Sequence, residues 1–411
     1  MEEKDTFTFM EENVMASKKP KRKFVRELKK VVLYSVVFGI VGGSAFTVAN
    51  GVISELMQKK DKEQIALEST VKPTVDPTQL QIEKNKKDDV EKITLDVSHM
   101  EQMYELVGKQ AQETNQSIVG ISDYQEEEEI PLLGDDVAGY IVAKTKDNIM
   151  VLTRYSEVKG TKHFQIRFFD EGLAVGSLYS YDKRMNLAII KVPMKEIGTD
   201  SQKYLKILEL GESSLLELGD LVYTTGQPNG TMYSMEMGYI TGDMQYLSME
   251  DYRFDLYSTN MMRYSDGYAI VCNMQGEWIG LMEHDYTDDS ICRFVGTNKL
   301  KIILENLLND ETQVYAGVIA GELPKDYLLQ HNILQGIYVN EVEIDSPVSE
   351  AGIMAGDVIC RIDGNPIDTV MHFYENLQKY EPGDKVKFTV VRGVSQDRKE
   401  IEIEVELKER N

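Results

Sequence analysis

Histidine and cysteine are scarce in this chain, at five and three residues among 411. The cysteines, Cys272, Cys292 and Cys360, stand far apart, match no metal-ligand spacing and leave at least one thiol unpaired, so they encode neither a zinc module nor a disulfide framework. They read as small apolar side chains for a core. The histidines, His99, His163, His284, His331 and His372, are equally scattered. Basic charge is also short: 45 Lys and Arg against 69 Asp and Glu leave a net charge of −24. This excludes nucleic acid as a partner, because phosphate binding needs a basic face and the counterion release that accompanies it. The acidic runs at 126–129 and 285–289 lack the ligand periodicity and turn glycine of a calcium loop. They read as solvated loops, and neither metal nor cofactor is expected.

What is present begins with a basic cluster, Lys18, Lys19, Lys21, Arg22, Lys23, Arg26, Lys29 and Lys30. Directly behind it, residues 31–53 read VVLYSVVFGIVGGSAFTVANGVI, uncharged and long enough, at about 20 residues, to cross a bilayer as a helix. A cleaved signal peptide is the competing reading, but its apolar run and polar lead are usually shorter. An uncleaved transmembrane helix is therefore expected. The positive-inside rule then makes residues 1–30 cytoplasmic and the bulk of the chain extracytoplasmic, held at the cell membrane by one helix. Residues 54–97 are charged and apolar-poor; they bury too little to offset their ordering entropy and read as a linker. Ser98 and Glu101 have capping-box spacing, and Met100, Met103, Tyr104 and Val107 give a short amphipathic helix where folded structure is expected to begin.

From 98 to 308 short β-rich runs alternate with turn signals, predicting a mainly β barrel or sandwich. The stretch 314–408 has its own pattern. Gly336-Ile337-Tyr338-Val339, Asp345-Ser346-Pro347-Val348 and Ala351-Gly352-Ile353-Met354-Ala355-Gly356-Asp357 lead into Val358, Ile359 and Ile362, a short strand that ends at the Asp363-Gly364 turn. These spaced glycine, proline and apolar positions resemble a PDZ domain. Such a domain adds an extended peptide to a sheet edge and holds its C-terminal carboxylate with backbone NH groups.

Successive landmarks upstream carry a second resemblance. They are Val151-Leu152-Thr153-Arg154-Tyr155-Ser156, Asn186-Leu187-Ala188-Ile189-Ile190, Gly219-Asp220-Leu221-Val222-Tyr223-Thr224, and Gly276-Glu277-Trp278-Ile279-Gly280. In this order they resemble the trypsin-like domain of the HtrA/Deg family. The resemblance implies a chymotrypsin-like double β-barrel over 98–308, a C-terminal PDZ domain and often a single membrane anchor.

Where the family has its catalytic histidine this chain has Ser156, and where it has the aspartate, Asn186. A hydroxyl is no base near neutral pH, and an amide keeps a hydrogen-bonding shape without the charge. Counting back from Gly276 places the nucleophile at Gly267, with Tyr268 and Ala269 in place of the following glycines; Ser265 is a displaced alternative. The sequence therefore reads as an HtrA-like pseudoprotease, a peptide- or protein-binding scaffold or modulator in envelope protein quality control. The alternative is an active serine endopeptidase using Ser265. By the resemblance the carboxylate loop is Tyr315-Ala316-Gly317-Val318, the strand edge continues through Ile319, and His372 and Asn376 lie on the helix forming the opposite wall. Expected partners are C-terminal peptides or unfolded proteins, and the resemblance implies a trimer or a mixed oligomer with an active relative.

Overall fold

The computed structural model describes residues 65–67, 96–124, 136–242, 245–282, 290–311, 313–324, 326, 329, 335–393 and 398–409. The expected basic segment at 1–30, the transmembrane helix at 31–53, both acidic runs, His284 and His331 lie outside them. Among the described residues no helix is long and apolar enough to cross a membrane.

The folded chain opens with helix α1 (Val97–Thr114), as its amphipathic pattern predicts, but the cap is not Ser98. Asp96 accepts from the Ser98 and His99 backbone, and His99 returns the bond to Asp96, so the capping box is built by these two residues. A carboxylate two residues earlier starts the helix sooner, takes the Ser98 and His99 amides and faces the positive end of the helix dipole. Within the expected linker, residues 65–67 are tied down: the Ile65 amide donates to Asn309 Oδ1 and the Leu67 amide to Glu305 Oε1, both at 2.9 Å.

Runs of β-branched residues then form β1 (Ile118–Asp123), β2 (Val137–Lys144), β3 (Asn148–Arg154), β4 (His163–Arg167), β5 (Leu173–Asp182) and β6 (Leu187–Pro193). They close into a barrel in the order β1-β2-β3-β6-β5-β4, with the four-residue helix α2 (Tyr155–Val158) directly after β3. The first half of the expected double barrel is thus present. Its partner comprises β7 (Leu221–Gln227), β8 (Ser234–Tyr239), β9 (Gln245–Met249), β10 (Tyr252–Met262), β11 (Tyr268–Asn273), β12 (Trp278–Met282) and β13 (Ile291–Gly296). These make a seven-stranded sheet, β8-β7-β11-β12-β13-β10-β9, curled so that Ile240 just after β8 bridges Thr259 in β10. The second barrel is therefore brought round by a bridge and not by a full ladder. The short helix α3 (Ser201–Tyr204) lies between the two sheets in sequence.

Helix α4 (Thr297–Asn309) follows β13 and buries Leu300, Ile303, Leu304, Leu307 and Leu308, the i, i+3, i+4 stripe of a core-facing helix. The C-terminal domain starts at β14 (Val314–Tyr315), which pairs with β21 (Lys408–Glu409). Its main sheet is β15 (Val318–Glu322), β16 (Ile337–Val342), β17 (Val358–Ile362), β19 (Lys385–Arg392) and β20 (Lys399–Glu406), with β18 (Asn365–Pro366) folded back on β17. Two helices complete it, α5 (Pro347–Ala351) and α6 (Val370–Leu377). The turns expected at Gly352, Gly356 and Gly364 all have positive φ. Phe373 and Leu377 of α6 sit with Val318, Ile337, Phe388 and Val405 in one buried cluster. Cys272, Cys292 and Cys360 are free and buried, as expected of apolar side chains.

Candidate functional site

Strand register brings the first two triad positions together. Because Arg154 of β3 lies opposite Leu187 of β6, the residues beyond each strand end, 155–156 and 186, are neighbours. The β5–β6 turn is set by Asp182, whose Oδ1 accepts from the Arg184 and Met185 amides, and Asn186 completes it at φ 52°, a left-handed conformation that asparagine tolerates. From there Asn186 grips the start of α2. Its carbonyl accepts the Tyr155 amide at 3.0 Å, its Oδ1 accepts the Ser156 amide at 2.7 Å, and its Nδ2 donates to Ser156 Oγ at 3.2 Å. The Ser156 hydroxyl in turn donates to the Glu157 carboxylate at 3.4 Å, and no imidazole is among these partners.

The third position arrives from the other sheet. β11 pairs with β7 so that Tyr268 faces Gln227 and Ala269 faces Gly226. Gly267 is buried beside Pro228, and a Cβ added there would collide with the Pro228 carbonyl oxygen and crowd that of Tyr264. Residues 268 and 269 run directly into a β ladder and make no turn of free NH groups. The buried Tyr268 ring lies 5.5 Å from Tyr140, whose hydroxyl donates to the Tyr268 carbonyl at 2.8 Å, and the Arg154 guanidinium sits 5.0 Å above Tyr268. Arg154 and Tyr268 thus join the first two positions to the third. Ser265 is exposed in the turn before Gly267. Among the described residues neither Ser265 nor Ser156 is hydrogen-bonded to the ring of His163, which starts β4 exposed. No group of three His, Cys, Asp or Glu placed to hold a metal occurs among them either.

The C-terminal domain gathers most of its expected site. Gly317 has φ 89°, and an added Cβ would collide with the side chain of Ser346, so the loop needs glycine twice over. Its turn aims the amides of Ala316, Gly317 and Val318 at a single carboxylate, that of Asp251. The distances are 2.9 Å from Ala316 and 3.0 Å from Gly317 and 2.9 Å from Val318. Asp251 is wholly buried, where a carboxylate is tolerated only with such donors. Tyr315 lies under the Arg184 guanidinium, 4.8 Å away. Ile319 bridges Glu250 in antiparallel fashion. On α6, His372 pairs with Asp368 at 2.8 Å, while the buried Asn376 donates to the His372 carbonyl and accepts from Lys379. The structure therefore turns Asn376 inward to its own helix, whereas the loop amides of 316–318 and Ile319 all meet the turn at Glu250 and Asp251.

Comparison with known proteins agrees with this architecture. Residues 308–407 match the family model described as PDZ domain. A probable periplasmic serine endoprotease DegP-like of Hahella chejuensis is 27% identical over 62% of this chain, and the match covers 54% of that protein. The serine protease Do-like HtrA of Bacillus subtilis is 22% identical over 72% of this chain and 72% of its own. The chain is homologous to the DegP/HtrA serine endoproteases and carries a PDZ domain. It spans little more than half the length of the Hahella relative, 54%. In fold it is similar to the HtrA-type protease AlgW with tripeptide, at TM-score 0.52 and 18% identity, covering 74% of this chain and 97% of that one.

Sequence reasoning missed the residues around the PDZ loop that come from the protease-like domain. Asp251 and Glu250 stand in the tight β9–β10 hairpin, where an acidic pair reads as ordinary turn chemistry. Nothing in their spacing reports a contact with residues 316–319.

Proposed function

We propose that this HtrA-like chain is a pseudoprotease, anchored by residues 31–53, whose folded part works outside the cytoplasm as a peptide- or protein-binding scaffold or modulator in envelope protein quality control. The observation that carries this reading is the triad constellation. Acyl transfer needs a nucleophile, a base within hydrogen-bond reach and a carboxylate to hold the base's tautomer. Here the base and acid positions are a serine and an asparagine hydrogen-bonded to each other, and the nucleophile position has no room for a side chain. Such a site has lost its proton relay while keeping its fold. The Hahella relative is a probable periplasmic serine endoprotease, which supports an extracytoplasmic setting here. PDZ recognition of C-terminal carboxylates by strand addition supports peptides or unfolded chain ends as partners. A trimer, or a mixed oligomer with an active relative, follows from the family resemblance.

The deciding experiment is labelling of the detergent-solubilised full chain with a fluorophosphonate probe, alongside degradation of an unfolded protein substrate. Neither label nor cleavage is expected. Labelling that vanishes in a Ser265→Ala variant would overturn the reading in favour of an active endopeptidase.

A further inference from the structure

A peptide bound to a PDZ domain offers two things: a terminal carboxylate for the NH-lined loop and an extended backbone for the sheet edge. The β9–β10 hairpin offers both. Asp251 presents its carboxylate to the Ala316, Gly317 and Val318 amides, and its own amide donates to the Val318 carbonyl. One residue earlier, Glu250 bridges Ile319 on β15, the edge strand of the sheet.

The hairpin is held there by further contacts. Arg184 pairs with Glu250 at 3.3 Å and with Glu343 at 3.1 Å, tying hairpin and PDZ domain through one guanidinium. Arg253 pairs with Glu322 at the far end of β15. Tyr252, wholly buried, places its ring 4.4 Å from Tyr374 of α6.

We infer that the β9–β10 hairpin is an internal ligand of the PDZ groove, and that a peptide C-terminus reaches the carboxylate loop only by displacing Asp251. This rests on the peptide-binding reading above and specifies its regulation. The two carboxylates compete for the same three amides, so they cannot be bound together. An internal competitor needs no concentration of its own, being tethered at an effective concentration in the millimolar range or above. If the closed arrangement holds all but one molecule in a hundred, outside peptides bind about a hundredfold more weakly than the open groove would allow. The geometry also couples two regions, because β10 belongs to the same sheet as β11, which begins beside Gly267. A partner that displaces the hairpin therefore acts on the sheet that carries the Gly267 position.

The test uses the full chain in detergent, wild type against Asp251→Ala and the isosteric Asp251→Asn, with two measurements. The first is hydrogen exchange at the Ala316, Gly317 and Val318 amides. The second is titration with synthetic peptides ending in an apolar residue, as free acids and as C-terminal amides. In the variants these amides should exchange at least tenfold faster, and free acids should bind at least tenfold tighter than to wild type, while amidated peptides gain nothing. Unchanged protection in both variants overturns the internal-ligand assignment. Faster exchange with equal peptide affinity in wild type and variants overturns the competition. Faster exchange with no peptide bound by any chain overturns it as well, and alone among these outcomes also removes the peptide-binding reading. Should both variants fail to fold, a Glu250→Cys/Ile319→Cys chain answers the same question. Its oxidised, hairpin-locked form should bind free acids at least tenfold more weakly than its reduced form, and equal binding overturns the proposal.

Discussion

Asn186 and Ser156 exchange two hydrogen bonds, Oδ1 with the Ser156 amide at 2.7 Å and Nδ2 with Ser156 Oγ at 3.2 Å. The Asn186 side chain thereby caps the first turn of α2 from outside the helix, whose own N-cap residue is Arg154, a structural task for which charge is unnecessary. Replacing it separates two contributions. Asn186→Ala loses the cap, worth about 1 kcal/mol, and forces alanine to φ 52°, costing roughly 1–2 kcal/mol more. Asn186→Gly loses only the cap. Denaturant unfolding should rank the alanine variant as the less stable, and equal midpoints would show that the backbone conformation contributes nothing.

Restoring the family's residues should not restore catalysis. In an Asn186→Asp/Ser156→His/Gly267→Ser chain the new serine Cβ meets the Pro228 carbonyl oxygen, backbone that yields only by shifting the β7–β11 ladder. Overpacking of this kind costs roughly 1–3 kcal/mol. The expected result is a destabilised chain that still fails to label with a fluorophosphonate. Robust labelling would mean that the ladder adapts easily and that the proposed loss of chemistry lies only in the side chains.

The buried thiols predict an alkaline limit. Burial pushes Cys272 and Cys292 up to about 12 and Cys360 up to about 11, from an ordinary value of 9.0. Above pH 9 the unfolded chain therefore releases protons that the folded chain keeps, and ∂ΔG/∂pH is negative. Stability from these groups is complete below about pH 9 and falls as pH climbs toward 11–12. Denaturation midpoints at pH 7, 9 and 10.5 should stay level and then drop. The native thiols should also resist alkylation at pH 8, since the thiolate is the reactive form; rapid labelling of all three would contradict their burial.

The proposed anchor makes a separate prediction. A reporter fused after Asn411 should behave as extracytoplasmic, and the mature chain should keep its first 30 residues. N-terminal sequencing that starts near Ala49 or Gly51 would show a cleaved signal instead.

Much of the architecture was legible because it follows local rules. Turn glycines at 352, 356 and 364 and the β-rich runs all depend on neighbours in sequence, and the pairing of 156 with 186 follows once β3 and β6 are aligned. The α1 cap was misplaced because Asp96 and Ser98 are both good caps within one turn, and only the backbone angles choose between them. Asp251 was invisible for a different reason. Its partners lie 65–67 positions away, and a turn aspartate has the same sequence signature whether it faces water or three buried amides.

Tyr374 belongs by sequence to the PDZ helix, yet its ring is wholly buried in the hydrophobic cluster of the protease-like domain, with Tyr252, Phe254 and Leu307, and its hydroxyl accepts from Asn306 at 2.9 Å. Burying such a ring is worth roughly 1.5–3 kcal/mol, a sizeable share of a typical domain's net stability. Neither domain can open without losing it, so melting should be shared: heat and denaturant should carry both through one transition, with coincident midpoints from a probe in the barrel and a probe in the PDZ sheet. A change that loosens either partner then lowers the midpoint of the other.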